Sequence, residues 1–164
     1  MCGADCAEWK NHALECDAIK NVDITELDKF SPDLLRLVVL TLRLIEGRRR
    51  NPKVNNRTKF LKDKGEYFEQ DSEEWQKQKS ICVDFIVNAL GHTDAGEVSW
   101  AAATVRARCV PSTGSGGCAL FPVLSLARHA CVRNAKFAVH GPNQALALLA
   151  QTNILQSLLA GMSY

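Results

Sequence analysis

An α+β fold is predicted for this 164-residue chain, helical in its first half and strand-bearing in its second. Three stretches carry the prediction. SPDLLRLVVLTLRLIEG, from Ser31, sets leucines and valines around most of a helical circumference, and EEWQKQKSICVDFIVNALG repeats apolar residues at helical spacing. AKFAVHG and ALALLAQTNIL are instead short apolar runs on either side of a turn at Gly141, Pro142 and Asn143, which suits two strands.

The first of these helices has Ser31 as its N-cap, Pro32 at the first helical position, Asp33 in the first turn and Gly47 as the expected stop. RRRNPKVNNRTKFLKDKGEYFEQDSEE, from Arg48, is polar, basic at its start and acidic at its end, and reads as a solvated connector with a short helical piece. Asp71 with Glu74 forms a capping-box pattern before the second helix. Its buried face is expected to hold Trp75, Ile81, Cys82, Phe85, Ile86 and Ala89, with Gly91 ending it. EVSWAAATVRARCV fits a strand or an alanine-rich helix, and its periodicity does not decide between them. PSTGSGG, residues 111–117, has the composition of a loop, and CALFPVLSLARHA that of a short apolar strand or turn running into a brief helical piece.

Composition narrows the function classes. A 46% hydrophobic, 23% charged sequence can build a core, and a net charge of +2 gives no electrostatic argument for binding nucleic acid. MCGADC is not the start of a secretory signal and no apolar run is long enough for a bilayer, so an intracellular soluble protein of nucleus or cytoplasm is expected, without a membrane partner. In such a compartment seven cysteines suit metal ligation, catalysis or small core positions better than a disulfide framework.

Cys2, Cys6, His12 and Cys16 are spaced C-x3-C-x5-H-x3-C, a set of thiolates and an imidazole that zinc can take in a tetrahedral shell. Alternatively, Cys6, Trp9, His12 and Cys16 lie three or four apart and form one face of a helix. The segment resembles the second half of a MYND zinc finger, in which each of these ligand pairs shares a metal with an earlier pair of cysteines. On that resemblance, the four residues either regroup around one zinc or hold it weakly.

A second cluster stands in CALFPVLSLARHACVRNAKF. Leu120, Phe121, Pro122, Ser125, Leu126, His129, Cys131 and Asn134 match, in order and spacing, the L-[FY]-P-x-x-S-L and N-H-S-C-x-P-N signature of SET domains. SICVDFIVNAL is similar to the helix of the same family that carries I-C, then N-A. Together these features resemble the SET and MYND family of protein-lysine methyltransferases. The resemblance implies a truncated or degenerate member with a partial zinc finger at residues 1–20, a helical insert at 21–91 and an incomplete, β-rich SET core at 92–164. It also implies S-adenosylmethionine as methyl donor, zinc as structural metal and a lysine of a protein substrate as acceptor.

Carried over residue by residue, Asn88 would contact the cofactor, His129 would hold its adenosine region, Cys131 would ligate zinc and Tyr164 would close the catalytic site. Arg128 stands where the family has asparagine and could meet the carboxylate end of the cofactor, while Ala130, Arg133, Leu158 and Leu159 also depart from the pattern. A core turn, with His129 hydrogen-bonded and Cys131 as apolar filler, accounts for the same residues. The alternative function is a non-catalytic interaction module in which the finger remnant and the apolar helices bind partner peptides, the resemblance implying proline-containing peptides for the finger.

Overall fold

A computed structural model describes residues 19, 22, 24–61, 72–111, 118–121, 135–140 and 145–150. Its helices are α1 (Ile24–Leu27), α2 (Pro32–Arg50), α3 (Pro52–Thr58), α4 (Glu73–Asp84), a π-helical turn (Phe85–Ala89) and α5 (Ala95–Arg108). Among the described residues four strands follow: β1 (Cys109–Pro111), β2 (Cys118–Leu120), β3 (Ala135–His140) and β4 (Ala145–Ala150).

The central element is α2. Ser31, in extended conformation, accepts a hydrogen bond from Leu34 N at 3.2 Å through its Oγ, and Pro32 follows where its missing N–H has no helical partner to lose. Leu34, Leu37, Val38, Leu42, Leu44 and Ile45 are buried along it, which is why its text is apolar almost all round. The helix does not stop at Gly47. It runs three residues further, and Gly47 is a buried helical position where even a Cβ would meet Val54 Cγ1 of α3 only at ordinary contact distance, 3.6 Å.

The true stop is Asn51. It precedes Pro52, which disfavours the helical conformation at its neighbour, and it sits at φ −131° and ψ 105°. Its Oδ1 then accepts from Lys53 N at 2.9 Å and opens α3, the short helical piece within the expected connector. That connector is less solvated than its polarity suggests, since Thr58 and Leu61 are buried.

Ser72, rather than Asp71, caps α4, accepting from Trp75 N at 3.4 Å. Trp75, Cys82, Phe85 and Ile86 form the buried stripe, but Ile81 and Ala89 are exposed. Ile81 lies about 120° round the helix from Trp75 at 100° per residue. Ala89 would follow Cys82 by two α-helical turns, and the wider π turn from Phe85 slips that phase.

The ambiguous EVSWAAATVRARCV is a helix over most of its length. Asp94 Oδ1 accepts from Glu97 N at 2.8 Å to start α5, and Val98, Ala101, Ala102, Ala103 and Val105 are buried. Burial on nearly every side removes the amphipathic signal, and the small alanines let α5 lie close on α2. One apolar cluster joins α2, α4, the π turn and α5, with Phe30 edge-on to Phe85 at 4.9 Å between ring centroids. The core therefore includes residues on both sides of position 91, the edge assigned from sequence to the helical insert.

The strands form two separate antiparallel pairs. Cys109 is opposite Leu120 and Pro111 is opposite Cys118 in the first. In the second, Ala135 is opposite Ala150 and His140 opposite Ala145, the pairing expected of strands joined near Gly141. No helix among the described residues is long and apolar enough to cross a membrane.

Candidate functional site

Asn88 is the one sequence-predicted site residue within the described part of the chain. Cys2, Cys6, His12, Cys16, Arg128, His129, Cys131 and Tyr164 lie outside it, as does the turn at Gly141, Pro142 and Asn143. Asn88 is exposed on the π-helical turn, while Cys82, six residues earlier in the same motif, is wholly buried at 0%. The motif thus splits into an inward thiol that packs and an outward amide that is free to meet a ligand. Single π turns inside helices recur at functional positions, because the extra residue re-aims the side chains that follow it.

The chain leaves this turn through Gly91, at φ +68°, a left-handed conformation that glycine adopts without a Cβ clash. His92 N then donates to Ile86 O at 3.3 Å. The bond spans one residue more than the closing bond of an α-helical Schellman cap, as the extra residue of the π turn requires.

His92 itself is buried, and its surroundings form a polar cluster that the sequence reading did not single out. Asp94 N donates to His92 Nδ1 at 3.3 Å, which leaves Nε2 as the protonated nitrogen of the neutral ring. Nε2 lies 4.0 Å from Glu97 Oε2, and Arg48 Nε lies 4.0 Å from Glu97 Oε1. Both distances are longer than hydrogen bonds, the Arg48 one being that of an ion pair, and neither nitrogen has a hydrogen-bond partner among the described residues. The Arg48 guanidinium also stacks on Trp100, 4.4 Å from the ring centroid, and donates to Thr58 Oγ1 at 3.4 Å. One arginine of α2 thereby ties together α3, α5 and the turn beyond Asn88. The D-x-x-E spacing of Asp94 and Glu97 was the available signal for part of this cluster.

A groove of about 210 Å3 opens elsewhere, between α2, α4, α5 and the β1–β2 hairpin. Arg36, Leu40, Trp75, Arg106, Cys109 and Cys118 line it. Arg106 stacks on Trp75 at 4.4 Å, a second guanidinium-on-indole contact, and so roofs an otherwise buried ring. Burial pushes the Cys109 thiol up to about 12, and the nearby Cys118 adds to the effect.

No group of three or more histidine, cysteine or acidic side chains suited to a metal occurs among the described residues. The residues expected to ligate zinc all fall outside that set. Comparison with known proteins adds no assignment: no family model, curated protein or solved structure matches the chain.

Proposed function

We propose that this chain is a SET and MYND type protein that binds S-adenosylmethionine and is built for methyl transfer to a lysine of a protein substrate. The observation that carries the reading is the division of SICVDFIVNAL. Its cysteine is a core residue, and its asparagine is presented to solvent on a π turn fixed by Gly91 and the buried His92 cluster. An exposed amide that both donates and accepts is chemically suited to the polar edge of an adenosyl or amino-acid group.

In this reading Asn88, Arg128 and His129 hold the cofactor, which supplies an electrophilic methyl on its sulfonium, and Tyr164 borders the site where the lysine amine arrives. Cys2, Cys6, His12, Cys16 and Cys131 serve zinc. A lysine amine has an ordinary pKa of about 10.4, so the site also has to favour the neutral nucleophile.

The test is ligand-dependent stability of zinc-loaded protein. A ligand at one hundred times its Kd stabilises the native state by about 2.7 kcal/mol, which raises the melting temperature of a domain this size by about 5 to 10 °C. Because Asn88 is exposed, Asn88→Ala should fold as the parent does and lose most of that shift. Equal shifts in parent and variant, or none in the parent, would remove the assignment.

A second reading, a non-catalytic interaction module for proline-containing peptides, draws on the groove beside Trp75 and on Phe60, which is 64% exposed. It requires peptide binding with no response to S-adenosylmethionine.

A further inference from the structure

The β1–β2 hairpin carries a cysteine at the first position of each strand. Residues directly opposite each other in an antiparallel pair share a face, as do residues two apart on one strand. Cys109 opposite Leu120 and Pro111 opposite Cys118 therefore put both thiols on the same side of the ribbon, at diagonal positions. Both are free, both are partly exposed, and both line the groove beside Trp75 and Arg106.

We propose that Cys109 and Cys118 are a reversible dithiol–disulfide pair that locks the hairpin when the protein meets a small-molecule disulfide. The thiolate of Cys118 attacks one sulfur of R–S–S–R, forming a mixed disulfide and releasing one thiolate R–S⁻. Cys109, whose ionisation burial opposes, enters second: it gives its proton to solvent as its sulfur attacks that of Cys118, and the second R–S⁻ leaves. Two protein thiols are oxidised to one disulfide by two electrons, and the small disulfide is reduced to two thiols.

Diagonal neighbours in an antiparallel pair stand about 7–8 Å apart at Cα, and a disulfide usually takes about 5.5–6 Å, so the hairpin has to tighten by roughly 1–2 Å. A two-stranded ribbon this short can twist by that amount, since twist is largest in isolated pairs. The groove supplies access for the oxidant. The locked form differs from the reduced one at the wall that faces Trp75 and Arg106, so oxidation reports directly on the shape of the groove.

The sequence makes the test clean. Trypsin cuts after Arg108 and after Arg128, and the peptide between them holds Cys109 and Cys118 and none of the other five cysteines. Full-length protein is reduced, titrated with oxidised glutathione at mildly alkaline pH, blocked with an alkylating agent, digested and weighed.

The expected product is that peptide lacking two hydrogens and unalkylated, returning to the doubly alkylated form after dithiothreitol. In Cys109→Ser the reaction should stop at the glutathione adduct of Cys118. A parent protein that keeps both thiols alkylated, or that accumulates the glutathione adduct without closing the ring, overturns the proposal, and neither outcome depends on how the variant folds.

Discussion

Alkaline destabilisation through Cys82 offers a quantitative test of the α2–α4 core. Cys82 is 0% exposed, its Sγ lies 4.0 Å from Thr41 Oγ1 of α2, and burial pushes its thiol from the ordinary 9.0 to about 12. Below pH 9 the thiol is protonated in folded and unfolded chains alike, and the full stability is present. Between about 9 and 12 the unfolded chain ionises while the folded one does not, so the unfolded state binds fewer protons and stability falls as pH rises. Each pKa unit corresponds to about 1.36 kcal/mol, so the loss from this one thiol between pH 9 and pH 11 is about 2 kcal/mol.

The comparison is with Cys82→Ala, which removes the titrating group and leaves every other lysine, tyrosine and thiol in place. Urea unfolding under reducing conditions, followed by far-ultraviolet circular dichroism at half-unit steps from pH 8 to 11, gives both stability curves. The parent should lose about 2 kcal/mol more than the variant across the alkaline range. Parallel curves would mean that the thiol ionises as easily in the fold as out of it. The sealed contact between α2 and α4 would then be wrong.

Four further substitutions probe the turn beyond Asn88, the cluster behind it and the cap of α2. Gly91→Ala meets no atom within 4 Å, so its cost is the left-handed backbone alone, about 1–2 kcal/mol in urea unfolding. Glu97→Gln removes the carboxylate that lies 4.0 Å from Arg48 Nε and should cost up to about 1 kcal/mol, with a smaller loss when Arg48→Met is made in the same chain, as a double-mutant cycle would read. Ser31→Ala deletes the cap of α2 and should cost about 1 kcal/mol in the same measurement.

Punctuation made α2 legible at its start, where Ser31, Pro32 and Asp33 each have a local reason to be there. Its end was not legible, because a glycine in sequence does not reveal whether it caps a helix or continues it, and Gly47 continues it to Arg50. The π turn was hidden for a related cause: one extra residue shifts the phase without changing composition, so Ala89 was placed on the wrong face. Segment 95–108 hid its helix by being buried on almost every side.

Asn88 was singled out through motif resemblance and not through any physical signal of its own. The Arg48, His92 and Glu97 cluster joins residues more than forty positions apart, a contact that spacing along the chain does not encode. The β1–β2 cysteines were similarly separated by a loop whose composition draws attention away from its flanks.

The central claim is that the amide of Asn88 meets a methyl-donor cofactor. The most direct measurement is a nuclear magnetic resonance titration of zinc-loaded, nitrogen-labelled protein with S-adenosylhomocysteine, following the side-chain amide of Asn88 and the backbone amides of Gly91 and His92. The account predicts saturable shifts at these three positions, lost at the backbone pair in Asn88→Ala. A titration that leaves all three unmoved, whether or not the ligand binds elsewhere, contradicts it.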